Sequence, residues 1–386
     1  MSKKQTKKIA IVVTSVLQIK FFLVPHIKAL SKIYDVTIIV KNDHPEILAG
    51  LNFDAKILEV SIERKISPIK DLMALFSLYV IFRKNKFDLI HTMTPKAGLL
   101  GTLASWLHGC PIRLHTFQGE VWANKTGFFR VLLRACDVMV ARLATHLTVV
   151  SFTERSFLID EGVVSAEKVS VIANGSISGV DLDRFCLDHG VRHRVRKDLN
   201  VAVDETLFIY IGRLSPDKGI DELIAAFGRL SNHESKVSLL VVGPDEGEFT
   251  PKLLKLNKNI PGRVNIRPYT PDPQNYMMAA DVLVLPSHRE GFGVVVIEAA
   301  AMGLPSIGTN VYGIQDAIVD HDTGLLFELG NSNQLCMAMQ KLANHTSLRQ
   351  LMGSKAQERV KLQYDQRLVV NGMLYFYRVL LSKLSH

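Results

Sequence analysis

Ser287-His288-Arg289-Glu290-Gly291-Phe292-Gly293-Val294-Val295-Val296-Ile297-Glu298 is the stretch whose reading decides the fold. The apolar run before it, Asp281-Val282-Leu283-Val284-Leu285-Pro286, reads as a buried parallel strand. Ala299-Ala300-Ala301-Met302-Gly303-Leu304-Pro305 follows, and reads as a helix ended by Gly303 and stopped by Pro305. The stretch therefore lies at the carboxyl end of a strand and opens a helix, which is where open α/β sheets bind ligands. Gly291 and Gly293 let the backbone approach a ligand, and a helix start offers N–H groups to anionic oxygens. Two carboxylates, Glu290 and Glu298, flank that opening. Plain architecture fits the same letters: Gly-x-Gly is common at strand–helix junctions, and a Glu in a first helical turn favours the helix dipole.

Working outward, strands alternate with helices over the whole chain, the signature of parallel doubly wound sheets. In the first half Lys8–Val13, Asp35–Val40, Asp88–Met93, Ile112–Phe117, His146–Val150 and Lys168–Ile172 read as strands. Helical segments are expected over Phe21–Ile33, Pro68–Arg83, Pro95–His108, Gly127–Leu143 and Thr153–Glu161, with Thr14–Gln18 a connection. Asn174–Lys197, rich in Gly, Asp, Arg and His, breaks the pattern and reads as an interdomain linker. Alternation then restarts at Leu207–Gly212 and continues through Ile220–Leu230, Val237–Gly243, Lys252–Leu256 and Val264–Arg267 to the opening stretch. Ser306–Gly308, Gly324–Phe327 and three helical segments follow. The expected domains are 1–185 and 198–364, with a final helix over 365–386.

Composition is that of a globular protein: 386 residues, 47% hydrophobic and 22% charged. No apolar run reaches the ~18–20 residues that span a bilayer. The basic start, Met1 to Lys8, is followed by an apolar run too short for a signal-peptide core, so a cytoplasmic protein is expected. Cys110, Cys136, Cys186 and Cys336 share no metal-like spacing and read as unpaired thiols of a reducing compartment. The net charge of +9 is lopsided: residues 1–190 carry 24 Lys and Arg against 17 Asp and Glu. Such a surplus suits an anionic partner, namely a lipid surface, a phosphorylated substrate or a nucleic acid, and equally suits plain solubility.

Two further loops at strand carboxyl ends in the second half carry chemistry. Gly212-Arg213-Leu214-Ser215-Pro216-Asp217-Lys218-Gly219 places two cations at the mouth of the sheet. Arg forks onto phosphate oxygens and Lys acts as a point charge. Val241-Val242-Gly243-Pro244-Asp245-Glu246-Gly247 reads as a second wall. Two cations with a Gly-rich helix start call for a diphosphate, and a nearby carboxylate suits ribose hydroxyls.

These residues carry a resemblance. Gly-Arg-Leu-x-x-x-Lys-Gly, then Glu-Gly-Phe-Gly-x-x-x-x-Glu-Ala, then Gly-Leu-Pro, then Gly-x-x-Asp-x-x-x-x-x-x-Thr-Gly-Leu-Leu is similar to the retaining nucleotide-sugar glycosyltransferases of glycosyltransferase family 4. The match runs from about residue 207 to 330 in the family's order and spacing. In the first half, His91-Thr92-Met93-Thr94-Pro95-Lys96-Ala97-Gly98 and His115-Thr116-Phe117-Gln118-Gly119-Glu120-Val121-Trp122 resemble its bacterial surface-polysaccharide subgroup. The implied fold is GT-B: two doubly wound Rossmann-like α/β domains facing each other across a cleft, the final helix crossing back to the amino-terminal domain. The first domain would take the acceptor and the second the donor.

By that resemblance Arg213 and Lys218 bind the donor diphosphate and stabilise the leaving group, and Glu298 holds the ribose hydroxyls. Glu290 sits at the transferred sugar, with Gly291, Phe292, Gly293 and Val294 shaping the pocket and offering backbone N–H groups. Tyr269 and Thr270 lie in a loop placed for base and sugar contacts. No cofactor and no metal is expected, and Asp181-Leu182-Asp183 in the linker reads as structural. Glu290 as an attacking nucleophile is one route to retention; the resemblance favours a front-face reaction. Many family members carry a His near the acceptor and donor sugar. His115 and Gln118 are the nearest equivalents here, and a His at a strand end also reads as structural. The first loop, Thr14–Gln18, lacks the family's Gly-Gly.

Trp122, Lys125 and Arg130, with Phe128, Phe129 and Arg134, are the acceptor candidates, on a segment that reads as an amphipathic face for a membrane surface or as a helix packed on the sheet. The expected partners are a nucleotide-sugar, UDP-sugar favoured, and a polyprenyl-diphosphate-linked acceptor at the inner face of the cytoplasmic membrane. Three rival readings stand beside this. The first is a UDP-sugar 2-epimerase of the same architecture. The second is a basic binding protein for nucleic acid, for which no recognition helix or stacking motif is present. The third is a nicotinamide enzyme, against which Gly-x-Gly-x-x-Gly is missing after the first strand.

Overall fold

Seven short segments of the first half, most of them apolar, pair into one parallel sheet. They are β1 (Lys8–Val12), β2 (Asp35–Val40), β3 (Lys56–Glu59), β4 (Leu89–Met93), β5 (Ile112–Phe117), β6 (His146–Val149) and β7 (Val169–Val171). Their order is β3-β2-β1-β4-β5-β6-β7. The connections are α1 (Val16–Gln18), α2 (Val24–Ser31), α3 (Pro45–Gly50), α4 (Pro68–Asn85), α5 (Pro95–His108), α6 (Gly127–Leu143) and α7 (Phe152–Asp160). The chain order reverses between β1 and β4, so helices cover both faces, as right-handed crossovers require. This computed structural model describes residues 7–63 and 66–385; the basic amino-terminal stretch lies outside them up to residue 6.

The chain divides into two compact units, Met1–Gly179 with Gln366–His386, and Val180–Asp365. The final helix (Gln366–Ser382) thus belongs to the first unit, where Tyr377, Leu380 and Leu381 are buried with residues of β1, β2 and α2. Tyr377 also joins a buried polar chain across the sheet. Its hydroxyl meets His91 Nδ1 at 2.5 Å, His91 Nε2 meets Thr116 Oγ1 at 2.6 Å, and Thr116 Oγ1 meets Thr148 Oγ1 at 2.6 Å.

The first helix starts earlier than its sequence shows. Ser15 caps it by accepting from the Leu17 amide, so Thr14–Gln18 is not a plain connection. A π-helical turn, Ile19–Leu23, then leads into α2. Pro25 stands at its start and has no N–H to give an α-helical bond, which accounts for the wider turn there. The edge strand β3 escapes the apolar-run test because three of its four residues are exposed.

In the second unit β8 (Thr206–Ile211), β9 (Val237–Val242), β10 (Val264–Arg267), β11 (Val282–Leu285), β12 (Ser306–Thr309) and β13 (Gly324–Phe327) form a parallel sheet ordered β10-β9-β8-β11-β12-β13. Its helices are α8 (His189–Asp198), α9 (Ile220–His233), α10 (Thr250–Asn259), α11 (Pro273–Ala279), α12 (Val294–Ala301), α13 (Ile314–Ala317), α14 (Ser332–Asn344) and α15 (Thr346–Gln363). The linker expected over Asn174–Lys197 is largely part of this unit. Asp188 caps α8, accepting from the amides of Gly190 and Val191. Arg192 and Arg196 then reach Asp281 at 2.6 and 3.1 Å, and Arg196 also donates to the carbonyls of Ala279 and Ala202. A helix held by one buried and one half-buried arginine has a polar sequence, and composition alone reads it as a loop.

Candidate active site

The topology of the second unit marks the place where open α/β sheets bind ligands. Chain order reverses between β8 and β11, and the loops after those two strands are Gly212–Gly219 and Pro286–Gly293. The switch point thus collects Arg213 and Lys218 from one loop and Glu290 and the start of α12 from the other. Local chemistry holds both loops. Gly219 has φ 67°, and a Cβ there would lie 2.0 Å from the Pro286 carbonyl oxygen, so only glycine lets the first loop rest on the end of β11. His288 donates its backbone N–H to the Asp217 carbonyl at 2.9 Å, tying the loops together again.

Every charged group at this point has a partner of opposite sign. Lys218 Nζ lies 2.5 Å from Glu290 Oε1, both side chains largely buried. Arg213 Nη1 lies 2.7 Å from Glu246 Oε2 and Nη2 4.0 Å from Asp217 Oδ2. Arg289 Nη2 lies 3.5 Å from the same Asp217 oxygen, and His288 Nε2 2.7 Å from Glu222 Oε1. Asp217 is partly buried, which raises its pKa; the Ser215 hydroxyl, Lys218, Arg213 and Arg289 outweigh that and hold it below the usual carboxylate range. Glu246 belongs to the Gly243–Gly247 loop expected as a second wall.

Glu298 lies one turn inside α12, which begins at Val294 with Gly293, φ 74°, as its amino-terminal cap and no side chain capping it. Part of Glu298 still reaches the surface, yet protein surrounds its carboxyl closely. Burial pushes its pKa up to about 7, and Arg184 pulls the other way. Arg184 was hidden in the supposed linker; its guanidinium donates to the Pro271 carbonyl at 2.6 Å and to Gln274. Tyr269 and Thr270 lie beside this segment, just after edge strand β10. The Tyr269 ring is exposed, and the Thr270 hydroxyl accepts from the Asp272 amide. Gly313, φ 80°, was not read as a site residue. A Cβ on it would meet the Glu290 carbonyl at 2.5 Å, so the loop after β12 backs the same stretch.

Several candidates are corrected. The Phe292 side chain does not shape a pocket: it is buried, its ring 5.2 Å from that of Tyr364. Trp122 is not an acceptor residue: it is 1% exposed, stacks on Phe157 and donates to Asp137 Oδ2 at 2.6 Å. Burial raises the Asp137 pKa to about 6, the Trp122 bond opposing it. Arg130 is paired with Glu161 at 2.6 Å and lies over the Trp122 ring, so its charge is already matched; Lys125 is exposed beside them. His115 is not at a surface. It packs under Gly98, its Nδ1 2.9 Å from Thr92 Oγ1, and burial lowers its pKa to about 3. Gln118 follows the end of β5 and accepts from Gln18 Nε2 at 3.0 Å, which brings the Thr14–Gln18 segment to that strand end. Asp181 Oδ1 accepts from the amides of Asp183 and Arg184, the bonds of a turn. All four cysteines are unpaired.

Comparison with known proteins places this geometry among relatives. The family model described as glycosyl transferases group 1 matches residues 191–359, and that of a glycosyl transferase 4-like domain matches residues 30–175. The chain is 32% identical over 349 residues to the capsular polysaccharide biosynthesis glycosyltransferase CapM of Staphylococcus aureus, covering 89% of this chain and 90% of that one. It is 30% identical over 286 residues to the UDP-Gal:alpha-D-GlcNAc-diphosphoundecaprenol alpha-1,3-galactosyltransferase of Escherichia coli, covering 73% of each. Among solved structures, Anabaena Alr3699/HepE, in complex with UDP and glucose, superposes with a TM-score of 0.81 at 19% identity, over 97% of this chain and 100% of that one. This last likeness is one of fold: two Rossmann-like units of the GT-B kind.

Proposed function

The chain belongs to the group 1, family-4-type glycosyltransferases of surface-polysaccharide synthesis, and from that premise we propose that it moves a sugar from a UDP-sugar to a polyprenyl-diphosphate-linked sugar with retention of anomeric configuration. The observation that carries this reading is the set of paired charges at the β8/β11 switch point, Lys218 with Glu290 and Arg213 with Glu246, beside a loop that opens α12, with Glu298 one turn inside that helix. Two cations set for a diphosphate can exchange their carboxylate partners for phosphate oxygens when a donor enters. Glu298 then accepts from the ribose hydroxyls, and the α12 start offers N–H groups to the phosphates. The family's donors and the named lipid-linked substrate of the E. coli relative favour UDP and a polyprenyl diphosphate.

In the proposed step the bond between the anomeric carbon and the diphosphate oxygen breaks, and the electron pair leaves with the phosphate. Negative charge grows on that oxygen and positive charge on the sugar ring. Arg213, Lys218 and the amides of Gly291 to Val294 stabilise the phosphate, each donor of this kind typically giving about 10²–10³-fold in rate. Glu290 faces the sugar. The acceptor hydroxyl attacks from the side the phosphate is leaving, and its proton goes to the departing phosphate oxygen. No metal is assigned, because Arg213 and Lys218 supply the charge, and the reaction is expected to proceed in the presence of a chelator.

A donor screen tests this. UDP-, GDP- and TDP-sugars are offered to the protein with bacterial membrane extract, and the lipid-linked product is read. UDP-sugar transfer is expected, and Glu298→Ala or Arg213→Ala should abolish it while leaving the circular dichroism spectrum unchanged. Transfer at near wild-type rate by both variants would sink the site assignment. Interconversion of a UDP-sugar without lipid would replace the reading by a 2-epimerase.

A further inference from the structure

α4 is apolar all round. Ala74, Leu78 and Phe82 on one side are buried against the sheet and α5. On the opposite side Ile69, Leu72, Met73, Phe76 and Val80 are exposed, Ile69 by 78% and Phe76 by 68%. At 100° per residue these five side chains fall within about 100° of arc, a continuous stripe along the outer face. A helix with two apolar faces is normally sandwiched in a core. Among the described residues none covers this outer face, and a stripe of this kind marks an interaction surface.

Charge says what covers it. The stripe runs into Arg83 and Lys84 at the end of α4, with Lys86 just beyond, and among the described residues none of the three has an ion pair. Asp71, the acid inside the helix, is taken by Lys96 at 2.7 Å. A second copy of this chain laid on the stripe would bring like charges together. An anionic lipid surface accepts both parts, aromatic and branched side chains entering the headgroup boundary while the cations meet phosphate. α4, α5 and α6 follow one another on the same face of the sheet, and α6 adds exposed Phe128 and Phe129 to that face. Among the described residues no helix is long and apolar enough to cross a membrane, so attachment would be from the surface.

We propose that α4 is the membrane-docking helix of this protein, its Ile69–Val80 stripe lying in the interface of an anionic phospholipid bilayer with Arg83, Lys84 and Lys86 on the headgroups. The proposal rests on the lipid-linked acceptor reading for its purpose, and on the exposed stripe for its place. It moves the contact from the Trp122–Arg130 segment expected from sequence to α4.

The test is co-sedimentation of the full chain with phosphatidylcholine vesicles, with and without phosphatidylglycerol. Binding should require the anionic lipid and fall with salt. Leu72→Asp with Phe76→Asp should weaken it roughly tenfold or more, and Arg83→Glu with Lys84→Glu should weaken it to a similar degree. All these positions are exposed, and urea unfolding followed by the fluorescence of Trp106 and Trp122, which lie in the same unit as α4, reports that the variants remain folded. Wild-type affinity in the Leu72/Phe76 variant overturns the proposal, as does a wild-type chain that ignores anionic vesicles. A wild-type dimer made monomeric by Phe76→Asp also overturns it, because the stripe then joins two copies. Vesicle binding that persists while no sugar reaches lipid leaves the docking surface standing and removes the acceptor reading instead.

Discussion

Lys218 Nζ and Glu290 Oε1 lie 2.5 Å apart, although 72 residues separate them in the chain. On the function proposed above, the cation assigned to phosphate and the carboxylate assigned to sugar hold each other before a donor arrives. Removing one partner leaves a largely buried charge unmatched. Lys218→Met is expected to lower kcat by about 10²–10³-fold, and Glu290→Gln by a comparable amount. Because both substitutions break the same contact, the double variant should lose less than the product of the single losses. Steady-state rates for the four proteins decide this, and strict multiplicativity would count against a shared role.

If Glu298 holds the donor ribose as proposed, donor binding is expected to depend on pH. Its pKa of about 7, raised by burial, leaves the free carboxyl substantially protonated at and below neutrality. A ribose hydroxyl needs a carboxylate acceptor, so binding favours the ionised form and releases the proton. Affinity for a nucleotide-sugar should therefore rise with pH, by up to about tenfold per unit below pH 7, and level off above it. The nucleotide-sugar itself, a diphosphate diester, does not titrate in that range. Calorimetric Kd values across the window should show this slope, and Glu298→Gln should flatten it.

Gly219 and Gly262 separate a functional backbone from a permissive one. Both have positive φ, 67° and 78°. A Cβ at Gly219 meets the Pro286 carbonyl at 2.0 Å, whereas one at Gly262 meets nothing within 4 Å. Gly262→Ala should cost about 1 kcal/mol of stability and leave activity alone. Gly219→Ala should in addition push the Arg213–Lys218 loop off β11 and cut kcat/KM by roughly tenfold or more. Equal activities in the two variants would contradict the packing described.

Three buried histidines tie the first unit to neutral pH. Burial lowers the pKa of His26 and of His115, the latter to about 3; His91 is lowered further below its ordinary value by burial and by repulsion from the other two. Each stays neutral when folded and takes a proton near pH 6.5 when unfolded. The unfolded state therefore binds more protons, and folding stability falls as pH drops below about 6.5; His115, lowered to about 3, contributes up to about 1.4 kcal/mol per pH unit above that value. Both tryptophans, Trp106 and Trp122, lie in this unit, so their fluorescence reports its urea unfolding. His115→Gln should reduce the pH slope by one proton; an unchanged slope would mean His115 is already protonated or exposed.

Much of the site was legible because its chemistry is local. Gly-x-Gly at a strand end, cations five residues apart in one loop and a Glu one turn into a helix are relations between near neighbours, and sequence spacing fixes them. Alternating apolar runs and helical periods likewise gave two doubly wound units. Trp122 misled, and His115 stayed open between two readings, for the opposite reason. A polar-edged aromatic or a histidine at a strand end has the same letters whether it faces solvent or a core. Only Asp137 under Trp122 and Gly98 over His115 decide which.

The sequence by itself determined the class of fold, the switch-point loops and the residue types gathered in them, since each depends on short-range periodicity and spacing. Tertiary structure decided the rest. It joined Lys218 to Glu290 and Arg213 to Glu246, drew Arg184 out of an apparent linker toward Glu298, assigned the final helix to the first unit, and left one face of α4 exposed. Each of these is a contact, or a missing contact, between segments far apart in the chain, and no local pattern encodes which distant surface a side chain will meet.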